Sequence, residues 1–315
     1  MKNIEDFNSL IDLLTTFNTE EKCSQYISLK RWGNKPICPH CGKDEKVYIF
    51  SDNIYFKCGI CRKKFTVRVG TIFEDSKIPL TKWFAAIYLF SCRSKGVSSL
   101  QLSKDLKITQ KSAWHLLHRL RYGMANPAYK KPLSNIVEAD ETYIGGKESN
   151  KHLSKRATDG LGGYTGRSAN KDKAAVFGVV ERKGEVRVQH IQNARKEVIQ
   201  PIIIKNVKEF ARVITDEWYG YQDLKSSSYT HDTIKHALKQ YVVGDIHTNT
   251  IENFWSNLKR NIFGVYHFTS KKHLQKYLEE VAYRFNNRTI KDSEKFNLVL
   301  RHSNVGRLKY KTLIK

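Results

Sequence analysis

The sequence has no apolar run long enough to cross a bilayer, which argues against an integral membrane protein. Its N-terminus is acidic and polar, so it also lacks the basic and apolar segments of a secretory signal peptide. We therefore expect an intracellular, cytoplasmic protein that has no membrane partner. In that reducing compartment the six cysteines are not expected to form disulfides.

Acidic residues are scarce relative to basic ones: 31 Asp and Glu stand against 55 Lys and Arg, for a formal net charge of +24. The excess is spread along the chain rather than collected in one tail. A folded, diffusely basic protein most often binds a polyanion, and nucleic acid is the first choice. A basic but unspecific surface is the alternative on composition alone. At 315 residues the chain is long enough for two or three domains, each with its own core.

Four of the cysteines are paired by spacing, in two CxxC motifs that a strand-like segment separates. The first pair is Cys38 and Cys41, and the second is Cys58 and Cys61. Each motif places two thiolates on one tight turn, and two such turns form a tetrahedral site for Zn²⁺. Because four thiolates leave no open coordination position, this zinc is expected to be structural. The resulting zinc ribbon is predicted either to touch DNA phosphates or to scaffold protein contacts only.

A helical region with interleaved basic residues follows the cysteines. Ser98 and Thr109 are predicted to cap two successive helices. The residues expected to face a core are Leu100, Leu102 and Leu106 in the first helix, and Ala113, Leu116, Leu117 and Leu120 in the second. This is a helix-turn-helix pattern, typical of DNA-binding proteins. The polar residues that start the second helix are expected to meet base edges: Gln110, Lys111, Ser112 and His115.

Two short β-branched runs after the helical region each end in an acid, Asp140 and Asp216. A strand that ends this way delivers a carboxylate to the edge of a sheet. Glu252 lies in the first turn of a predicted helix, and Lys259 follows two turns later on the same face. Two strand-end aspartates and a helical glutamate can hold a pair of divalent metal ions for phosphoryl transfer. The order strand, hairpin, helix, strand, helix predicts a mixed α/β arrangement.

Other acids lie beside these three. Glu138 is on the same strand face as Asp140, and Glu141 and Glu217 directly follow the two aspartates. Acids in such positions are usually solvated or salt-bridged, so we rank them second as metal ligands. Asn249, just before the glutamate, is expected either to cap the helix or to position DNA.

Three blocks of sequence surround the acids: Asp-Glu-Thr-Tyr-Ile-Gly-Gly-Lys, Thr-Asp-Glu-Trp-Tyr-Gly-Tyr and His-Thr-Asn-Thr-Ile-Glu-Asn-Phe-Trp-Ser-Asn-Leu-Lys-Arg. They resemble the signature blocks of DDE transposases of bacterial insertion sequences, and more narrowly of the family with an N-terminal zinc ribbon. The resemblance covers nearly the whole chain. It implies a ribonuclease H-like catalytic core that depends on Mg²⁺ or Mn²⁺. Asp140, Asp216 and Glu252 occupy the family's metal-ligand positions, and Lys259 occupies its basic position after the glutamate.

The resemblance implies a DNA transposase that binds the terminal inverted repeats of a transposon in double-stranded DNA, cleaves by a two-metal mechanism and joins the end to target DNA. We expect a homodimer or higher oligomer on DNA, associated with the bacterial nucleoid. Lys147, Lys151 and Arg260 are further predicted DNA contacts. The first two lie in a basic loop, for which a solvated insertion that does not bind DNA is the alternative interpretation. Two alternatives stay open: a DNA-binding regulator with an inactive ribonuclease H-like domain, and a ribonuclease H-like nuclease without strand transfer.

The expected fold class is α/β: a ribonuclease H-like mixed sheet with flanking helices, preceded by a zinc ribbon and a helix-turn-helix. The expected segments are an N-terminal amphipathic helix at 1–30, the ribbon at 31–72, the helix-turn-helix at 78–128, the catalytic domain at 133–290 and a basic C-terminal tail at 291–315. The first of these is predicted from apolar residues at helical spacing: Ile4, Phe7, Leu10, Ile11, Leu14 and Phe17.

Overall fold

A computed structural model describes residues 7–125, 131–146, 152, 173–222, 224, 228–235 and 242–315. The helices in these ranges are α1 (Leu10–Thr16), α2 (Glu20–Trp32), α3 (Leu80–Ser91), α4 (Ser99–Leu106), α5 (Gln110–Met124), α6 (Lys196–Asn206), α7 (Asn249–Asn261), α8 (Lys271–Asn286), α9 (Asp292–Arg301) and α10 (Tyr310–Ile314). The strands are β1 (Val47–Ile49), β2 (Tyr55–Cys58), β3 (Lys64–Thr66), β4 (Ile136–Ile144), β5 (Ala174–Glu181), β6 (Val186–Ile191), β7 (Arg212–Thr215) and β8 (Thr230–Thr233). No helix of the described ranges is long and apolar enough to cross a membrane.

The chain divides into two compact units, one formed by Met1–Pro127 with Asn287–Lys315 and the other by Ala128–Asn286. The first unit contains a three-stranded antiparallel sheet in the order β1-β2-β3. Phe56 lies opposite Phe65 on neighbouring strands, with ring centres 5.3 Å apart, and the ring of Trp32 packs edge-on against both. This aromatic cluster helps to fix a segment that is too short to bury a core of its own.

The N-terminal segment forms two helices rather than the single amphipathic helix expected at 1–30. Thr19 caps α2, since its hydroxyl accepts a backbone N–H at 3.2 Å, and this cap starts a second helix. Leu13 and Phe17 are buried, whereas Ile11, expected on the core face, is 77% exposed. Residues four positions apart share one side of a helix, and Ile11 lies two positions from Leu13, on the other side.

The turn between α4 and α5 forms as the sequence predicts. Ser98 and Thr109 cap the two helices, and each hydroxyl accepts the backbone N–H three residues on, at 3.1 and 3.2 Å. Lys107 ends α4 in the left-handed conformation, with φ of 49°. The leucines and the alanine predicted to face a core are buried except Leu100, which is 58% exposed. Leu100 precedes a buried leucine by two positions, and therefore points to the opposite side of α4.

Residues 291–315 form two helices rather than the expected tail. Phe296 of α9 is fully buried in the first unit, and its ring centre lies 5.1 Å from that of Phe7 and 5.2 Å from that of Phe84. The apolar pattern that produces this contact is brief, so a strongly basic sequence hides it. It consists of Phe296, Val299 and Leu300.

The second unit is built on a five-stranded mixed sheet in the order β6-β5-β4-β7-β8. β4 is antiparallel to β5 and parallel to β7. One apolar cluster joins Phe177 of β5 to α6. Another joins the preceding residue of the strand, Val176, to α7 and α8. Because neighbouring residues of a strand point to opposite faces, helices cover both faces of the sheet. The mixed α/β class is as expected, and β8 is a strand that the sequence did not predict.

Replacing Phe296 with alanine should lower the free energy of unfolding of the first unit by about 3–5 kcal/mol, because a fully buried ring is lost and a cavity is left. Urea unfolding followed by circular dichroism measures this loss. Leu100→Ala is the matched control, since its mostly exposed side chain should contribute less than about 0.5 kcal/mol. Equally small effects in both variants would show that α9 does not support this core.

Candidate functional site

The four paired cysteines converge in the first unit. The Sγ atoms of Cys38 and Cys61 lie 3.6 Å apart, those of Cys41 and Cys58 lie 3.7 Å apart, and all four sulfurs lie within 4.8 Å of one another. Tetrahedral zinc with Zn–S bonds of about 2.3 Å separates its sulfurs by about 3.8 Å, whereas a disulfide brings two of them to about 2 Å. The spacing therefore fits a structural Zn²⁺ ion, as the sequence predicts.

A cleft of about 580 Å³ in the second unit brings the predicted catalytic residues together. Asp140 of β4, Asp216 after β7, and Glu252 and Lys259 of α7 all line it. The parallel register of β4 and β7 pairs Glu138 with the residue two before Asp216, and so sets the two aspartates side by side. β4 itself continues to Ile144, so Asp140 lies within a strand and not at its end as expected.

Two carboxyl groups of the cleft, those of Asp140 and Glu141, are poorly solvated and close to like charges. Burial, with smaller contributions from Asp216 and Glu252, raises the pKa of Asp140 to about 6. Burial, with a smaller contribution from Asp216, likewise raises the pKa of Glu141 to about 7. A divalent cation relieves both burial and mutual repulsion of carboxylates, and Mg²⁺ and Mn²⁺ prefer such oxygen ligands. The residues therefore fit a divalent-metal site.

The acids do not, however, meet at one point. Among the described residues, only the four cysteines bring the ligand atoms of three or more His, Cys, Asp or Glu side chains within 4.8 Å of one another. Two-metal sites hold their ions about 3.5–4 Å apart, so three carboxylates that share two ions can be spread more widely. The wider spacing of the acids is compatible with two ions and argues against one ion bound by all three.

Glu138, which we rank second as a metal ligand from its sequence position, is fully buried and caps the helix of Glu252. Its carboxylate accepts the backbone N–H groups of Thr250 and Ile251 at 2.8 and 3.0 Å. It also accepts Arg182 Nε–H at 2.7 Å. Asn249 does not perform the capping role considered for it, because α7 begins at Asn249 and has no capping hydrogen bond from a side chain of its own N-cap residue. The capping oxygen comes from β4 instead.

Two further residues of the cleft, Glu141 and Trp255, form hydrogen bonds that the sequence did not predict. Glu141 accepts the hydroxyl of the fully buried Tyr221 at 2.6 Å. Trp255 donates its indole N–H to Asp140 at 2.9 Å. Trp255 follows Glu252 by three positions, a spacing that makes neighbours on a helix surface, and this was the available signal.

The residues predicted to meet DNA bases lie at the start of α5 as expected, but several have partners within the first unit. Gln110 donates to Ser99 Oγ at 2.8 Å, and Lys111 Nζ lies 4.8 Å from the ring centre of Tyr310. His115 is half-buried, with Nε2 at 3.1 Å from a backbone oxygen, and burial lowers its pKa. This backbone oxygen is that of Leu308. The hydroxyl of Ser112 accepts a hydrogen bond from the hydroxyl of Thr109, the residue that caps α5.

The remaining predicted DNA contacts are placed only in part. Arg260 is exposed on α7 and donates to the backbone oxygen and the hydroxyl of Ser256, one turn earlier on the same helix. Lys147 and Lys151 lie outside the described residues.

Purified protein should contain about one zinc ion per chain, and Cys58→Ser should reduce this content to near zero, because the ribbon holds its shape through the metal. Elemental analysis measures the zinc content, and thermal unfolding measures the stability of the ribbon. Cys92→Ser is the control, since Cys92 lies outside the cluster and should leave the zinc content unchanged. Full zinc content in Cys58→Ser would contradict the four-cysteine site.

Glu138→Gln should destabilise the second unit by about 3 kcal/mol, because it leaves the charge of Arg182 without its buried partner. The free energy of unfolding, measured in urea, gives the change. Glu217→Gln removes an exposed acid of the same unit and should cost less than about 0.5 kcal/mol. A loss as small as that of the control would mean that Glu138 is dispensable for α7.

Comparison with known families agrees with the two centres. Residues 18–64 match a transposase zinc-ribbon domain, and residues 132–286 match an ISXO2-like transposase domain. The first match contains all four cysteines, and the second contains every residue of the acidic cleft.

Two relatives extend the similarity. An uncharacterized protein in transposable element ISH50 of Halobacterium salinarum is 27% identical over 281 residues, which cover 86% of this chain and 92% of the relative. An uncharacterized transposase-like protein of Haemophilus influenzae is 33% identical over 101 residues, which cover 32% of this chain and 80% of the relative. The chain therefore belongs to the insertion-sequence transposase family that combines a zinc ribbon with an ISXO2-like transposase domain.

Proposed function

We propose that this chain binds the terminal inverted repeats of its insertion sequence, cleaves the DNA there and joins the cut end to target DNA. The observation that carries the proposal is the shared cleft of Asp140, Asp216, Glu252 and Lys259 in a transposase-family chain. A nucleic-acid substrate is supported by the net charge of +24.

In this proposal the second unit, which ends at Asn286, contains the ribonuclease H-like catalytic domain expected at 133–290, apart from its last four residues. The strand order β6-β5-β4-β7-β8 supports it, since an antiparallel run of three strands continues into two parallel ones. Asp140 lies on β4 and Asp216 directly follows β7, the parallel neighbour of β4, and helices cover both faces. The sheet thus supplies a rigid base for carboxylates that must keep fixed positions.

The reaction requires the chain to hold metal, phosphate and nucleophile together. Bound Mg²⁺ or Mn²⁺ would activate water or a 3′-hydroxyl for attack and stabilise the leaving oxygen. Asp140, Asp216 and Glu252 would hold the ions, and the Thr248 hydroxyl orients the glutamate by donating to its Oε1 at 2.8 Å. Lys259 is exposed two turns after Glu252 and would offset phosphate charge near the cut.

DNA binding is assigned in this proposal to the zinc ribbon at 31–72 and to a helix-turn-helix at 78–128 formed by α3, α4 and α5. The exposed side chains of Gln110 and Lys111 support base or phosphate contact at the start of α5. His115 would have to give up its contact with Leu308 before it could reach DNA. A homodimer or higher oligomer on DNA follows from the need to hold two transposon ends.

Asp216→Asn should reduce DNA cleavage by at least about 100-fold, since even an outer partner of a metal ligand contributes about 10- to 100-fold. DNA binding should be unchanged, because the substitution leaves the first unit untouched. Incubation with Mg²⁺ and a labelled duplex that carries the element's end measures both, and Glu217→Gln is the control for a neighbouring acid.

Joined products would establish transposition, and cleavage without joining would indicate a nuclease. Tight binding without cleavage in Mg²⁺ or Mn²⁺, in the unsubstituted protein, would leave a DNA-binding regulator and refute the proposed chemistry. Loss of binding in Asp216→Asn would show that this carboxylate is structural.

A further inference from the structure

Trp255 of α7 belongs to the apolar cluster behind the cleft and also contacts an acid of the cleft. Its Nε1–H donates to Asp140 Oδ2 at 2.9 Å, and the side chain is 4% exposed. The other oxygen of Asp140, Oδ1, accepts the backbone N–H of Glu141 at 2.8 Å. A carboxylate has about four acceptor positions, so each oxygen can accept a further ligand while both hydrogen bonds persist.

The strand beside Asp140 is shaped to admit the indole. Gly178 of β5 is the Cα partner of Asp140 across the antiparallel pair. A Cβ on Gly178 would lie 2.6 Å from Cη2 and 2.8 Å from Cζ2 of Trp255. These atoms belong to a rigid and buried ring, so any side chain at this position would displace it. Glycine weakens the interior of a strand, and the close approach of Trp255 supplies a reason for its presence.

We infer that Trp255 is a positioning residue for Asp140, and that Gly178 makes this possible by leaving room for the indole. The hydrogen bonds from Trp255 and the Glu141 backbone hold the carboxylate in one orientation before metal binds. A carboxylate already fixed in this way loses less conformational freedom on binding a cation. The inference rests on the proposed function, because it takes Asp140 as a metal ligand.

A residue that only filled the core would affect stability and leave metal affinity unchanged. Phe254 provides the matched control, because it is the fully buried neighbour of Trp255 on α7, with ring centres 5.3 Å apart. Its side chain carries no hydrogen-bond donor. Phe254→Leu therefore reduces packing in the same apolar cluster and keeps the indole N–H, whereas Trp255→Phe keeps an aromatic ring and removes the N–H.

Mn²⁺ binding to the full-length, zinc-loaded protein tests the inference without DNA cleavage. Free Mn²⁺ is followed by electron paramagnetic resonance, and the binding that disappears in Asp216→Asn defines the cleft. Trp255→Phe should weaken this binding by about 10- to 100-fold, in the range found for outer partners of metal ligands. Phe254→Leu should bind Mn²⁺ as the unsubstituted protein does, although its thermal unfolding temperature falls.

Gly178→Ala approaches the same contact from the strand, since it displaces the indole while the N–H is retained, and it should weaken Mn²⁺ binding as well. It also provides the test if Trp255→Phe fails to fold. Mn²⁺ affinity unchanged in a folded Trp255→Phe or Gly178→Ala protein would overturn the positioning role and leave the proposed function intact. Absence of any Asp216-dependent Mn²⁺ binding in the unsubstituted protein would overturn both.

Discussion

The buried carboxylate of Glu138 fixes the geometry on which the acidic cleft depends. The first turn of a helix has backbone N–H groups without partners and carries the positive end of the helix dipole. In α7 these groups are met from another element, since Glu138 of β4 accepts the N–H groups of Thr250 and Ile251. Glu138 lies two residues before Asp140, and Ile251 lies one residue before Glu252. One contact therefore both caps the helix and sets the distance between two acids of the cleft.

A carboxylate buried in this way is stable only if its charge is compensated and its oxygens are satisfied. Arg182 supplies the charge, and its remaining N–H groups donate to the backbone oxygens of Asp245 and His247 at 2.7 and 2.9 Å. The guanidinium thereby also holds the chain that leads into α7. The entry to the helix is thus defined by polar contacts, whereas its body is held by apolar packing. The two constraints together fix the helix backbone from which Glu252 and Lys259 extend into the cleft.

The sequence predicted the elements that carry the site better than the contacts that align them. The cysteine pairs, the strand that carries Asp140, the strand before Asp216 and the helix of Glu252 follow from local patterns, although β4 continues four residues beyond Asp140. The capping role of Glu138 does not, because its helix partners are 112 and 113 residues away and an acid in a strand is expected only to be solvated or salt-bridged. The prediction that Leu100 faces the core was wrong for the opposite reason. An apolar side chain is typical of a core, but the position of Leu100 on α4 directs it to solvent.

Helix α7 shows why the core and the cleft of the second unit are not separable. Ile251, Phe254 and Leu258 are buried in the apolar cluster, while Glu252, Ser256 and Lys259 line the cleft. Trp255 stands at the boundary and takes part in both, since its ring fills the cluster and its N–H reaches Asp140. A change that displaces the ring of Trp255 therefore disturbs a residue that touches a candidate metal ligand. The sheet contributes to the same contact, because the glycine opposite Asp140, Gly178, leaves the space that the ring of Trp255 occupies. Trp255 is consequently the residue through which the apolar core contributes to the orientation of the acid as well as to the stability of the fold.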